Sequence, residues 1–527
     1  MEGFITQASN FVWSPALVAL CLLGGLWFSV RGRFLQLRLI GEMIRLLFQK
    51  KVGEVGISSF QALTMTLAGR VGTGNIAGVA TAICFGGPGA LFWMWVVAFL
   101  GASSAFVEST LGQVFKVNID GEYRGGPAYY IEKGLHSKPF AVLFAVVTVL
   151  AAGFLCPGVQ GNSITSAFTH AFGLNTAVTT VFVISLLCFI IFGGITRIAQ
   201  FTVVVVPFMA QIYIVAALII VGVNIDKFPA MLQLVFSSAF GVNSMFGAML
   251  GTAVTWGVKR GLYSNEAGQG TGPHASSAAA VSHPAKQGLV QAFSVYIDTL
   301  FVCSATGFMI LLTGCYNVIG PNGQTIVNNL PGVEVGPAYT QAAVETLMPG
   351  WGSPFVALAL FFFAFTTIVA YYYQAETNIV YLFRGSKRGA AIFVLRVIFL
   401  VGTAYSSMKS ADLAWAMGDI GIGMMAWVNF CCFRESPSSA SGIMRNRNTW
   451  GLIRHLIRQN SVSRMPNTGQ NRSVKPIRFS KNPPVSITVC FLPCRRSVSS
   501  KPRRRVREPA SLLIMTGMTE SSPVLPA

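Results

Sequence analysis

The chain has 527 residues, 53% of them hydrophobic and 11% charged, with a formal net charge of +20 and a mean hydropathy of +0.59. These values exclude an ordinary soluble globular protein and define a polytopic membrane protein. The net charge is no mark of nucleic-acid binding, because 17 of the 38 Lys and Arg but only 3 of the 18 Asp and Glu fall in residues 434–527.

Apolar runs of about 20 residues, enough to cross about 30 Å of hydrocarbon, occur near 12–30, 58–84, 88–110, 138–158, 174–195, 199–222, 243–263, 287–314, 352–381, 390–407 and 411–432. They predict an all-α protein with eleven transmembrane helices. The first run has Glu2 and no basic cluster ahead of it, so it reads as a retained helix and not a cleaved leader. After it, Phe34, Leu37, Ile40, Met43, Leu46 and Leu47 recur at helical spacing, with Arg38 and Arg45 on another face. Segment 31–53 is therefore expected to lie as an amphipathic helix at the inner interface, a helix packed on protein being the competing reading.

Lys and Arg accumulate on the cytoplasmic side of membrane proteins. Arg31, Arg33, Arg38, Arg45, Lys50 and Lys51 fall between the first two helices, which places that loop inside and the N-terminus outside. Later inner loops carry Lys116, Arg124, Lys133 and Lys138, then Arg197, then Lys259, Arg260 and Lys286, then Arg384, Lys387 and Arg388. An odd helix count then puts the C-terminus in the cytoplasm.

Two of the apolar runs are interrupted by glycine-rich polar stretches, residues 68–75 (AGRVGTGN) and 263–272 (YSNEAGQGTG). Backbone leaves its helix inside a bilayer only where it is buried in protein or lines a cavity. Setting the first helix aside, the remaining ten divide into two sets of five, each opening with a broken helix, and the odd number inverts the second set. The expected architecture is a 5+5 inverted repeat with one extra N-terminal helix. Its parts are 1–57 (first helix and interface segment), 58–222 (first repeat), 223–433 (second repeat) and 434–527 (a basic, disordered cytoplasmic tail). Gly72-Thr73-Gly74 and Gly270-Thr271-Gly272 echo one another across the two sets.

A helix break frees N–H groups at the start of its second half and C=O groups at the end of its first half. The former suit a carboxylate and the latter an ammonium or a sodium ion, so one broken helix can hold a zwitterion. Gly72 and Gly74 allow close backbone approach, and Thr73 and Asn75 add a hydroxyl and an amide. In the second break Ser264, Asn265, Glu266, Gln269 and Thr271 offer oxygen-rich chemistry suited to a hard monovalent cation. Ser264 and Asn265 are taken as substrate contacts, and Gly69, Gly268 and Thr271 as cation ligands. Thr366 and Thr367, adjacent hydroxyls in an apolar helix, join the cation ligands, back-bonding to their own helix being the alternative. Arg70, Glu266 and Asp298 are gating or ion-pair candidates, with Lys259 or Arg260 as a possible partner of Glu266; Glu108, Glu376, Arg396 and Asp419 are further charges within spans. His274 and His283 read as loop residues after the second break.

The ten cysteines form no metal framework, Cys490 and Cys494 standing alone in the tail. No GxxxxGK[ST], HExxH or GxSxG motif is present, which argues against a nucleotide-driven pump or a hydrolase of those classes. The residues therefore point to a secondary transporter and not an enzyme.

Four motifs carry a resemblance: Arg70-Val71-Gly72-Thr73-Gly74-Asn75, Gly86-Gly87-Pro88-Gly89-Ala90-Leu91-Phe92-Trp93-Met94-Trp95, Arg124-Gly125-Gly126-Pro127-Ala128-Tyr129-Tyr130 and Ser264-Asn265-Glu266-Ala267-Gly268. Over residues 10 to 430 the chain resembles the alanine or glycine:cation symporters, the sodium:alanine symporter family of bacteria and archaea. The resemblance implies a fold like the sodium-coupled leucine transporters and uptake of L-alanine, D-alanine or glycine with Na⁺, which needs no other cofactor. It implies substrate contact by Gly72, Thr73, Gly74 and Asn75, by the side-chain amide of Gln160 and, as a wall, by Phe168. A proton-coupled amino acid transporter of the same fold is the alternative. The chain departs from the family after Phe430, where a Ser-, Arg- and Pro-rich tail replaces the usual ending, as a shifted reading frame would produce, a genuine cytoplasmic extension attracted to anionic lipid being the alternative.

Overall fold

In the computed structural model, residues 2–49, 55–243, 245–383, 385 and 387–435 are described; all but the first two residues of the basic tail lie outside them. The first apolar run forms α1 (Glu2–Val12) and α2 (Pro15–Arg31). Pro15 stands at the start of α2, where its missing N–H costs nothing. Two short helices, α3 (Leu35–Arg38) and α4 (Ile40–Leu47), follow. The first broken helix is α5 (Ser59–Arg70), a π turn at Gly74–Gly78, and α6 (Val79–Gly86). A capping box starts it: Ser58 Oγ accepts from Gln61 N at 3.1 Å and Gln61 Oε1 accepts from Ser58 N at 2.9 Å.

Next come α7 (Ala90–Phe115), a hairpin of β1 (Val117–Ile119) and β2 (Glu122–Arg124), and α8 (Pro127–Gly134). Helices α9 (Lys138–Leu150) and α10 (Cys156–Phe172) are joined by a π turn at Ala151–Leu155. Pro157 follows that turn, and its lack of an amide N–H suits a place where the α pattern is already broken. Then come α11 (Thr176–Ile191), α12 (Gly194–Val223) and α13 (Phe228–Ala239).

The second broken helix is α14 (Leu250–Asn265) and α15 (Gly272–Ser277). Behind it run α16 (Pro284–Tyr296), a π turn at Ile297–Cys303 and α17 (Ser304–Thr313), then a hairpin of β3 (Asn317–Ile319) and β4 (Thr325–Asn328) and the short α18 (Pro337–Glu345). Three helices complete the described chain: α19 (Gly352–Leu382), α20 (Lys387–Ser407) and α21 (Ala411–Glu435).

Both hairpins are antiparallel, Val117 facing Arg124 and Asn317 facing Asn328, the second with a slip in register between Val318 and Ile319. Each is followed by the same four residues, Gly-Pro-Ala-Tyr, at 126–129 and 336–339. The glycines have φ of +145° and +148°, where an L side chain is strained, and the prolines open α8 and α18. This likeness between the two halves involves conformation as well as sequence.

All eleven expected apolar segments are helical, and seven helical stretches are long and apolar enough to cross a membrane among the described residues. The others are the two broken helices, the 16-residue α11 and α21. Val178, Phe182, Val204, Phe208, Leu218 and Val401 point outward from α11, α12 and α20, the aspect expected of a surface against lipid. Segment α3–α4 does not lie free: Leu35, Leu39, Met43 and Leu46 are buried and α4 packs on α16. In the interior, α7 packs against α16 and α14, α10 against α19, and α5 against α12 and α19. The broken helices are enclosed by these pairs.

Candidate functional site

At the first break the freed backbone groups can be followed one by one. The amide of Gly72 donates to Asn75 Oδ1 at 2.8 Å and not to the carbonyl of Ala68, as a helix would require. The amide of Thr73 donates to Gln160 Oε1 on α10 at 3.0 Å, and that of Asn75 to the carbonyl of Gly72 at 3.2 Å. The carbonyls of Ala68 and Val71 are thereby released from α5, and Thr367 meets them. Its Oγ1 lies 2.8 Å from Ala68 O, 3.4 Å from Val71 O and 3.0 Å from Phe363 O of its own helix. A hydroxyl has one proton, so it can serve only one of these at a time. Two carbonyl oxygens at the end of a half-helix and one hydroxyl from α19 form a cradle of the chemistry that suits a small cation. Gly72 is required here, because a Cβ would collide with Thr367 Oγ1 and come within 3.0 Å of Gln160 Oε1. Thr73 Oγ1 is buried with no hydrogen-bond partner among the described residues.

The second break begins later than the sequence suggests. Ser264 and Asn265 are still in α14, and the turn comes at Glu266, whose φ of +54° caps the helix. Ser264 Oγ lies 3.0 Å from both carboxylate oxygens of Asp298, which also accept from Asn75 Nδ2 at 2.7 Å and Thr299 Oγ1 at 2.7 Å. Asn265 Oδ1 accepts from the amide of Ala267 at 3.1 Å and its Nδ2 donates to Thr299 Oγ1 at 3.3 Å. Asp298, in the π turn after α16, thus ties the two breaks together. Gly74 lies against Ser264, with space for a Cβ only 3.1 Å from Ser264 Cα.

Two further carboxylates hold the second break. Glu266 Oε2 accepts from Thr271 Oγ1 at 2.9 Å and lies alongside Gly69. Glu108 of α7 accepts from Gly268 N at 3.3 Å and from Asn429 Nδ2 at 2.5 Å; Asn429 also donates to Gly268 O at 3.0 Å and accepts from Tyr130 OH at 2.7 Å. Arg70 donates to Gln291 O at 3.1 Å and to Ser294 Oγ, and its charge acts on the nearby carboxylates of Glu266, Asp298 and Glu108. Beside Glu266 lies a cavity lined in part by Thr66, Thr271, Ala275, Tyr373 and Gln374.

Gly72, Thr73, Gly74, Asn75, Gln160 and Ser264 therefore come together, with Thr367 behind them, whereas Asn265 turns to Thr299 and the amide of Ala267. Gly69, Gly268 and Thr271 belong to a second group, around the carboxylates of Glu266 and Glu108. Thr366 and Phe168 join neither: the Thr366 hydroxyl bonds Phe363 O of its own helix at 3.0 Å, and the Phe168 ring packs on Phe172 and Phe361. Lys259 and Arg260 are not loop residues and do not pair with Glu266. They are buried in α14 and share Asp419 of α21, Lys259 at 2.7 Å and Arg260 in a two-pronged contact at 3.0 Å. His274 is also no loop residue: it is buried in α15, its Nδ1 2.9 Å from Thr271 O and its Nε2 2.8 Å from Asn378. Asn429 escaped the sequence reading of the site; its only signal was an amide in an apolar last helix.

Residues 1–434 match the model of the sodium:alanine symporter family. A putative sodium/proton-dependent alanine carrier protein, YrbD, of Bacillus subtilis is 59% identical over 81% of this chain and 89% of its own length. A sodium/proton-dependent alanine carrier protein of Bacillus sp. PS3 is 55% identical over 73% of this chain and 87% of its own. Among solved structures, a manganese transporter of Eremococcus coleocola aligns with a TM-score of 0.51 over 78% of this chain and 88% of its own, at 13% identity, a likeness of fold alone.

Proposed function

The chain belongs to the sodium:alanine symporter family, and from that premise we propose that it carries alanine across the membrane together with Na⁺, by alternating access at the two helix breaks. It is a multi-pass membrane transporter and not an enzyme. The observation that carries the reading is the Thr367 hydroxyl seated on the released carbonyls of Ala68 and Val71, one residue before the substrate-type amides of Gly72 and Thr73.

In this reading the substrate carboxylate takes the amides of Gly72 and Thr73, displacing the neutral oxygens of Asn75 and Gln160, since an ionised acceptor makes the stronger hydrogen bond. The free hydroxyl of Thr73 adds a third donor. Gly74 against Tyr263 and Ser264 limits the site to a small side chain, alanine or glycine, whose discrimination rests on about 1–3 kcal/mol per methyl group. Na⁺ at Thr367 draws α19 onto α5 and orders the break for the substrate.

A 5+5 inverted repeat with α1–α2 as the extra helix supplies the architecture, eleven spans in all. The paired Gly-Pro-Ala-Tyr segments after the two hairpins support it. The basic loop between α2 and α5 supports an external N-terminus and a cytoplasmic C-terminus.

Labelled L-alanine uptake into proteoliposomes, with and without an inward Na⁺ gradient, tests the proposal. Sodium-dependent uptake is expected, and Asn75→Ala is expected to reduce it by about 10- to 100-fold, the worth of a buried hydrogen bond to charged groups. The sodium/proton names of the two Bacillus relatives favour a second reading, proton coupling through buried Glu266. Uptake that follows an imposed pH gradient and ignores sodium would replace the first reading with the second.

A further inference from the structure

Glu108, Glu266 and Asp298 are each at most 1% exposed. Arg70 acts on all three through its charge and hydrogen-bonds none of them, and their hydrogen-bond partners are neutral: Gly268, Gly270 and Asn429 for Glu108, Thr271 and Gln374 for Glu266, and Asn75, Ser264 and Thr299 for Asp298. With all three ionised, one guanidinium would leave two negative charges among buried groups, an arrangement that is costly unless protons or cations compensate it. A zwitterionic amino acid brings no net charge. One Na⁺ at Thr367 meets half of the deficit.

The geometry says where the other half is met. Both oxygens of Asp298 and both of Glu108 accept hydrogen bonds. The Gln374 amide hydrogen-bonds the Glu266 carboxylate, yet Glu266 Oε1 and Gln374 Oε1 are both buried with no partner of good geometry among the described residues. Both residues line the same small cavity, which has Thr66 and Thr271 in its wall. The Thr271 hydroxyl is 2.9 Å from the other Glu266 oxygen, and bare backbone at Gly69 lets the carboxylate lie within one residue of Ala68, whose carbonyl belongs to the Thr367 cradle. A carboxylate, an amide oxygen and a hydroxyl are ligands for a hard cation.

We propose that Glu266, Thr271 and Gln374 hold a second sodium ion, reached through this cavity, so that two Na⁺ travel with each amino acid. The inference rests on the symport reading and adds its ion count. With two ions the three carboxylates and Arg70 are electrically balanced while the substrate site is loaded.

The test is the alanine gradient sustained at equilibrium by proteoliposomes of the full chain, with the membrane potential held at zero and a tenfold Na⁺ gradient. Two coupled ions support about a hundredfold alanine gradient and one supports about tenfold, each factor of ten being 1.4 kcal/mol. We expect the hundredfold value for the wild type and the tenfold value for Glu266→Gln. A tenfold wild-type value, or a hundredfold value in Glu266→Gln, overturns the second site and leaves symport standing. Accumulation indifferent to Na⁺ overturns the symport reading itself. Should Glu266→Gln be inactive, carbodiimide labelling of Glu266 in the wild-type protein, read by mass spectrometry, decides. Slowing by NaCl but not by choline chloride supports the site, and labelling that tracks pH alone overturns it.

Discussion

The two helix breaks solve the same problem with different chemistry. At the first, the freed amides of Gly72 and Thr73 rest on neutral side-chain oxygens, Asn75 and Gln160. At the second, the polar groups rest on carboxylates, the amide of Gly268 on Glu108 and the hydroxyl of Thr271 on Glu266. A neutral acceptor can be displaced by a substrate carboxylate without stranding a buried charge. A carboxylate cannot leave so cheaply. In the proposed transport cycle the first break would therefore serve exchange of the substrate, and the second would hold charge while exchange takes place.

The contrast is broken most severely at Arg70, which lies at the first break and acts through its charge on the acids of the second. Arg70→Ala should destabilise the protein by about 3–5 kcal/mol, because it leaves buried carboxylates uncompensated; thermal unfolding in detergent reads this, and Arg70→Lys should recover part of the loss. Gly72→Ala comes next. Its methyl group meets Thr367 and Gln160, with a cost of about 1–3 kcal/mol from overpacking and sodium-dependent uptake reduced at least about tenfold, since the misfit falls on both proposed ligands at once.

A smaller effect sharpens the comparison from the other side. Asn429→Leu removes the donor to Glu108 and Gly268 and the acceptor for Tyr130, and should cost about 1–3 kcal/mol of stability. Because it acts on the second break, the KM for alanine should change far less than in Asn75→Ala, which uptake kinetics will show.

Both breaks were legible in the sequence because glycine and polar residues interrupt apolar runs, a pattern that the bilayer forbids without a reason. Their limits were less legible. Ser264 and Asn265 read as unwound, yet the Glu266 amide still reaches Leu262 O at 3.0 Å and keeps them helical. Lys259 and Arg260 read as loop charges because their partner, Asp419, lies about 160 positions away and on the last helix. Asn429 was invisible as a site residue for the same reason, its contact with Glu108 spanning 321 positions. Helix α13, at 12 residues, is too short to register as a span. Composition reports local burial well, but it carries no information about which distant polar residues will meet.

Adjacent Thr366 and Thr367 offer the most direct test of the claim that the first break and α19 hold the coupling ion. Only Thr367 reaches the carbonyls of Ala68 and Val71, while Thr366 bonds its own helix. The measurement is the sodium concentration that half-saturates alanine uptake for Thr366→Val and Thr367→Val. We predict a rise of about tenfold or more for Thr367→Val, the worth of one oxygen ligand at about 1.4 kcal/mol, and little change for Thr366→Val. Equal shifts in the two variants, or a larger one for Thr366→Val, would contradict the assignment of the sodium site to the first break.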